Sequence, residues 1–280
     1  IMRQMRTWFM RKKVVAVALA GVLLLCGVLT ISKVSLPEGV AASAEITNWG
    51  LSFPEEGQPS VGNADSAYLA QYNALFRADT EEKVLYLTFD AGFENGCTAP
   101  ILDALKKHNV PATFFLVGDR IQGQEALVRR MAEDGHQIGV HSYDHSCISD
   151  LSRADFDLQV GRTRGVLSAV LGSGDFWLRP PYGIIDDAGL RWAGSPVVLW
   201  SVDPEDWKDQ DTGRVVGSVL SHVEDGSIIL LHDIYDSSVD AALQIADALS
   251  GQGYCFVTVE QLLQAKGIQP QDGTVYRCAK

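Results

Sequence analysis

Residues 83–117 read KVLYLTFDAGFENGCTAPILDALKKHNVPATFFLV. The stretch opens on an apolar, β-rich run (84–89), passes through an amphipathic segment (98–108) and closes on a second β-rich run (112–117). In the middle segment Ile101, Leu102 and Leu105 recur at helical spacing. Strand, helix and strand in that order predict a parallel pair joined by a crossover helix. The alternation continues downstream. Further strands are predicted at 137–140, 176–178, 197–202, 227–231 and 254–257, with helices at 124–134, 153–171, 186–193, 212–223, 239–249 and 260–265. Seven such units in about 185 residues are too compact for the standard eight-fold barrel of about 250. The expected fold class is α/β, an irregular (β/α)7-type barrel. No solenoid-type repeat is present.

Upstream the texture differs. Residues 34–80 are punctuated by Leu36-Pro37-Glu38-Gly39 and Gly57-Gln58-Pro59-Ser60, hold no sustained period, and read as a tether and extension with a short helical patch at 67–76. Before them lies VVAVALAGVLLLCGVLTIS, residues 14–32, free of charge and long enough for one membrane-spanning helix. Arg3, Arg6, Arg11, Lys12 and Lys13 precede it, and all 35 acidic residues follow. That asymmetry predicts a signal-anchor with a cytoplasmic N-terminus, placing the body outside the cell membrane. A cleaved signal is the rival reading, since Ala42-Ser43-Ala44 resembles a cleavage site. The length of the run and its distance from Ala44 favour the anchor. One span argues against a transporter or channel. The predicted organisation is 1–33 basic head and anchor, 34–80 tether and extension, 81–266 catalytic domain, and 267–280 tail.

Composition narrows the function. The chain of 280 residues is 46% hydrophobic and 21% charged, enough for a packed core, and its net charge of −12 argues against nucleic acid as a partner. Of five cysteines, Cys26 lies in the apolar run. Cys97, Cys147, Cys255 and Cys278 form no CxxC pair and read as buried or free thiols, with a bridge from Cys255 to Cys278 as the alternative.

The chemistry sits at strand ends. The first strand ends in Asp90, the third in His141 followed by Ser142-Tyr143-Asp144-His145, the fourth in Arg179, and the sixth in His232. Asp203 and Asp206 follow the fifth. In a parallel barrel the carboxyl ends of the strands share one face, so these groups are expected to converge. Singly, each has an ordinary reading: an Asp after a strand is commonly a turn or cap residue, and an arginine a structural ion-pair partner. His108, His136 and His222 read in that ordinary way, near helix ends where a cation suits the dipole. The His141–His145 spacing is sharper, because two imidazoles four residues apart can face one metal where the backbone bends suitably. Together the groups suit amide hydrolysis. A metal activates water and polarises the carbonyl, a carboxylate takes the proton, and a separate histidine protonates the amine. There is no G-x-S-x-G turn, P-loop or dinucleotide fingerprint.

The ordered motifs TFDAGFENG (88–96), HSYDH (141–145), RPPYG (179–183), DPEDW (203–207) and LLH (230–232) resemble the polysaccharide deacetylases with a NodB homology domain, carbohydrate esterase family four. NWGLSF (48–53), GQPSVGNA (57–64) and the FENG extension are similar to the peptidoglycan branch related to the delta-lactam-biosynthetic de-N-acetylases of spore formers. The resemblance implies Asp90 as base, His141 and His145 as ligands of a divalent metal (zinc, with cobalt or manganese as alternatives), Arg179 as partner of the base and His232 as acid. It implies Asp206 as the carboxylate tuning that acid, the Tyr182 backbone N–H as oxyanion donor, and Trp207 as a wall of the pocket. The implied substrate is N-acetylated wall glycan, peptidoglycan N-acetylmuramic acid or N-acetylglucosamine. One position departs from the family: the aspartate that serves as third metal ligand is here Ala91, which puts the zinc assignment in question and leaves Glu94 as a substitute. A non-catalytic wall-glycan-binding protein with a degenerate metal site is the rival from another class. An O-acetyl esterase is the rival within it.

Overall fold

The computed structural model describes residues 51–52, 61–62, 83–93, 96–172, 174–265 and 268–278. The apolar run 14–32, the helical patch at 67–76 and Glu94 lie outside the described residues. Among the described residues no helix is long and apolar enough to cross a membrane. Within the predicted extension, β1 (Leu51–Ser52) and β2 (Val61–Gly62) pair antiparallel, two strands too short for the sequence pattern to signal.

The main sheet is parallel throughout. Its strands are β3 (Val84–Ala91), β4 (Thr113–Leu116), β5 (Gln137–Val140), β6 (Trp177–Leu178), β7 (Val197–Val198), β8 (Ile228–His232), β9 (Cys255–Phe256) and β10 (Val275–Tyr276), in the order β10-β7-β6-β5-β4-β3-β8. It curls into an irregular half-barrel. Past β7 the chain meets β8 through the single parallel bridge Val202–Ile229, supported by Leu230 N–H donating to the Val202 carbonyl at 2.9 Å.

All seven predicted strands exist, but two expectations need correction. The segment at 254–257 does not take its own place in the ring: β9 pairs with Val84 and Leu85 on the edge of β3 whose later residues pair with β4. The supposed tail supplies β10, which pairs with β7. The helices match closely. Thr98–His108 buries Ile101, Leu102 and Leu105 and stops at Asn109 in the left-handed region, with Lys106, Lys107 and His108 against the negative end of its dipole. The long helix at 153–171 is real but contains one π turn, Asp157–Gly161.

Strand periodicity then sorts the side chains. All eight residues of β3 are buried, as in a parallel strand covered on both faces. Leu85, Leu87 and Phe89 join the cluster packed under the helices, whereas Val84 and Tyr86 join the inner cluster with Phe115, Trp177, Val198 and Tyr276. Alternation places Thr88 and Asp90 on that inner face, at its carboxyl end.

Candidate active site

Asp90 is almost fully buried, and its Oδ1 accepts from Arg179 Nη1 at 2.9 Å. Arg179, just past β6, is wholly buried and saturated. Nη1 also donates to the Thr88 hydroxyl (2.9 Å), Nε to the Val198 carbonyl (3.1 Å) and Nη2 to the Leu199 carbonyl (3.0 Å), while the guanidinium lies 4.2 Å over the Phe115 ring. A buried charge is tolerated only when paired and hydrogen-bonded in this way. Burial by itself would raise the Asp90 pKa, but His141, Arg179 and His232 outweigh it and hold the carboxyl below the ordinary range. At neutral pH His141 drops out of that set, because burial pushes it down to about 4 and leaves it uncharged.

His141 and His145 sit on a loop, not a helix, and the bend comes from Ser142 (φ 59°) and His145 (φ 64°) in the left-handed region. Side chains from the neighbouring helix pin it. The Gln159 amide oxygen accepts from Tyr143 N–H at 2.9 Å, and the Thr163 hydroxyl donates to the Ser142 carbonyl at 3.0 Å. The two imidazole centroids stand 4.9 Å apart.

His232 ends β8. Asp206, fully buried, accepts from its backbone N–H at 2.8 Å and from Nδ1 at 2.7 Å. Burial works against protonation of His232, but Asp206, Asp90 and Asp203 outweigh it and raise the imidazole above the ordinary histidine value. Arg214 secures the loop carrying Asp206 by donating to the Pro204 and Glu205 carbonyls, each at 2.8 Å. Asp203 accepts from Glu205 N–H at 2.9 Å in the same turn. Next to His232, buried Asp233 accepts from Gly92 N–H at 3.1 Å and from the Thr98 hydroxyl, tying the loop after Asp90 to the end of β8. Burial pushes the Asp233 carboxyl up to about 6.

Asp90, His141, His145 and His232 line one cavity of about 260 Å³, with Ala91 and Arg120 in its wall. Arg179 stands behind Asp90, and Asp206 behind His232. Two expected members are not among the described residues that line it. Trp207 does not line the cavity and is 47% exposed, since it opens outward from the short helix Asp206–Asp209. Tyr182, with φ 61°, is also outside the lining; its ring packs edge-on against His145 at 5.0 Å. Among the outlying histidines, His136 is a correction: it is no helix-end cation but a buried ring whose Nδ1 accepts from Ala112 N–H, held near 4 by burial. None of Cys97, Cys147, Cys255 and Cys278 is joined in a disulfide, which removes the Cys255–Cys278 bridge.

The donor set fits a divalent cation through two imidazoles. His141 Nδ1 is 2.9 Å from the Arg179 carbonyl, which can only accept, so the neutral ring carries its lone pair on Nε2. That Nε2 faces Asp90 Oδ2 at 3.3 Å. Two lone-pair atoms so close call for an electropositive species beside them. Ala91, wholly buried, offers only a methyl group, and among the described residues no three His, Cys, Asp or Glu side chains are grouped to hold a metal.

This curled parallel sheet, with carboxylates and imidazoles gathered at its carboxyl end, is the architecture of the NodB homology domain, and the chain belongs to the polysaccharide deacetylase family, whose model matches residues 77–194. Particular relatives sharpen the likeness. The chain is 41% identical over 188 residues to the peptidoglycan-N-acetylmuramic acid deacetylase PdaC of Bacillus subtilis, covering 67% of this chain and 40% of that protein. It is 37% identical over 207 residues to the peptidoglycan-N-acetylglucosamine deacetylase PgdA of Listeria monocytogenes, covering 73% and 44%. It therefore spans less than half the length of either. With the peptidoglycan-N-acetylmuramic acid deacetylase PdaA of Bacillus subtilis it shares 32% identity over 241 residues, 81% of this chain and 92% of the relative. The solved structure of PdaC superposes with a TM-score of 0.64 at 40% identity, covering 68% of this chain and 94% of that one. A family 4 acetyl xylan esterase from Clostridium thermocellum, solved with a cobalt ion, gives 0.66 at 32% identity, covering 70% and 98%.

Several supporting residues were not singled out from sequence. Asp233 was readable as the next carboxylate after His232. Thr88 was visible as the polar residue two before Asp90, hence on its face. Gln159 and Arg214 gave no signal, because each acts on a loop distant in sequence.

Proposed function

We propose that this protein is a metal-dependent de-N-acetylase of peptidoglycan, anchored in the cell membrane by residues 14–32 with its catalytic body outside. The observation that carries the reading is the opposition of two tuned pairs across one cavity: Arg179–Asp90, whose carboxyl is held below its ordinary value, and Asp206–His232, whose imidazole is raised above its own. Pairs of titratable groups whose surroundings push them apart mark base and acid. Asp90 takes a proton from the water that attacks the acetamide carbonyl. His232 gives its proton to the departing sugar amine, and Asp206 stabilises the imidazolium and fixes the ring. The Tyr182 amide is the proposed donor to the developing oxyanion. His141 and His145 would hold a divalent cation, proposed as zinc, which would supply a Lewis acid for the carbonyl and for water. In the spore-forming branch, the freed muramic amine would close to a lactam.

Incubation of the protein with N-acetylated glycan and Zn²⁺, Co²⁺ or Mn²⁺ tests the reading. Acetate is expected, and its release should vanish with a chelator and in His141→Ala/His145→Ala. Full activity in the double variant would defeat the mechanism. The buried methyl of Ala91 favours one rival, a glycan binder that does not turn over; it predicts glycan affinity without acetate at saturating zinc.

A further inference from the structure

We infer that Gln159 is a positioning residue for the metal pair: its side-chain oxygen fixes the loop that brings His141 and His145 to one cation. The inference rests on the metal-dependent deacetylase reading and names a residue outside the cavity on which that site depends. Gln159 does not line the cavity, so it acts through the loop rather than on substrate. Its Oε1 accepts from Tyr143 N–H at 2.9 Å and, more weakly, from Asp144 N–H at 3.4 Å, the two amides between Ser142 and His145.

The two histidines are held differently. His141 follows β5 directly: its backbone N–H donates to the Leu116 carbonyl at 2.9 Å, and its Nδ1 faces the Arg179 carbonyl. His145 stands four residues on, beyond a left-handed Ser142 and itself left-handed. Its place relative to His141 therefore follows the path of residues 142–144. Positive φ at non-glycine residues persists only where the surroundings over-determine it. The carbonyls of that path are taken by the 3₁₀ turn Gly118–Arg120 after β4. Gly118 N–H donates to the Ser142 carbonyl (3.1 Å) and Asp119 N–H to the Tyr143 carbonyl (2.7 Å). The amides of the path go to Gln159, which completes the backbone's accounts there.

Gln159 is itself specially placed. It is the middle residue of the π turn Asp157–Gly161, after which Arg162 N–H donates to the Asp157 carbonyl five residues back. Such turns are rare and recur at functional sites. Just past this one, the Arg162 guanidinium lies 3.7 Å over the Tyr143 ring, and the Thr163 hydroxyl lies 2.8 Å from the Gln159 carbonyl and 3.0 Å from that of Ser142. A Cβ at Gly118 would stand 2.8 Å from Tyr143 Cδ2 and closer still to Thr163 Oγ1, so only glycine lets turn, loop and helix meet this tightly. Ala91 adds no donor beside the two imidazoles, so their mutual alignment decides how well they hold a cation. Asp144 and Ser146 are exposed, so water can reach the loop and replace a lost acceptor. Removing the Gln159 oxygen should therefore cost alignment and leave the fold standing.

Calorimetric titration with zinc tests this on the full-length protein and three variants. Gln159→Met keeps the length and loses the acceptor, Gln159→Glu keeps both, and Gln159→Asn is one methylene too short to reach. Gln159→Met is expected to weaken zinc binding roughly ten- to hundredfold, while the metal-free Tm moves by only a few degrees. Gln159→Glu should bind zinc at least as tightly as the parent. Acetate release by Gln159→Met should fall at limiting zinc and return as zinc is raised. If Gln159→Met does not fold, Gln159→Asn reads the same loss. The parent's zinc affinity in Gln159→Met or Gln159→Asn, or a Gln159→Glu protein as weak as they are, overturns the positioning role. No zinc uptake by the parent overturns it too, and acetate release then decides the deacetylase reading separately. Weakened zinc in Gln159→Met, in a protein whose parent frees no acetate from any glycan, would uphold the positioning role while removing the deacetylase reading.

Discussion

Both oxygens of Asp206 are committed to one residue: Oδ2 to the backbone N–H of His232 and Oδ1 to its Nδ1, at 2.8 and 2.7 Å. The double contact fixes the ring, leaves Nε2 directed away from the carboxylate, and raises the imidazole above its ordinary value against the opposing influence of burial. A raised folded-state value means that this pair's stabilisation is present below about pH 6.5, the free histidine value, and is lost as pH rises through the folded value. Activity that needs the protonated acid should fall over the same upper range. Asp206→Asn removes the charge and leaves burial dominant, so the alkaline limb of kcat/KM should move to lower pH. NMR titration of the His232 imidazole should move the same way. An unmoved limb together with an unmoved imidazole would show that Asp206 does not tune this group.

Arg179 makes a different demand. It is wholly buried and touches Asp90, Thr88 and two carbonyls, so truncation strands a buried carboxylate. Arg179→Met is expected to destabilise the protein by about 3–5 kcal/mol in urea unfolding, the usual cost of breaking a buried pair from one side. Asp90→Asn in the same background should restore part of that loss by removing the unpaired charge. A single variant as stable as the parent would mean that water or another cation reaches Asp90.

Ala91 is the chain's departure from its family pattern, and it can be tested without an assay. The side chain is buried in the cavity wall at the end of β3. Ala91→Asp adds an oxygen donor beside two imidazoles and should tighten zinc binding by roughly ten- to hundredfold, at least the range seen when supporting residues of metal sites are changed. Without zinc the new carboxylate is buried without a partner and should lower Tm. Calorimetry and thermal unfolding with and without zinc read both effects. The same zinc affinity and the same zinc-induced rise in Tm as the parent would show that position 91 does not face the cation.

Much of the site was legible because it depends on strand ends. An ionisable residue after an apolar run is placed by the strand itself, and parallel strands bring their carboxyl ends to one face. Asp90, His141, Arg179 and His232 needed no more than that. Trp207 failed because it belongs to a helix after a loop, where no period fixes its direction, and it points outward. β10 failed because two residues, Val275 and Tyr276, are too short to show alternation and pair only when β7 is already in place. Thr88 was visible as a residue but not as a function, since it matters only through Arg179.

Asp233 allows the sharpest pH test. Its carboxyl is fully buried between Gly92 N–H and the Thr98 hydroxyl, and burial raises it from 3.8 to about 6. The folded state therefore binds more protons than the unfolded state between those values, and the Asp233 contribution to stability falls as pH rises from about 4 to about 6, then levels. The loss across the window is on the order of 3 kcal/mol. His136 acts in the opposite direction over nearly the same range: burial lowers it from 6.5 to about 4, so its contribution is lost as pH falls. The parent's own profile mixes the two. The informative quantity is the difference between Asp233→Asn and the parent, since Asn keeps the shape and cannot titrate. Urea unfolding at intervals from pH 4 to pH 7 should show the variant gaining on the parent as pH rises to about 6 and holding that gain above it. A difference independent of pH would mean that Asp233 is charged in the folded protein throughout this range, with the Gly92 and Thr98 donors outweighing burial.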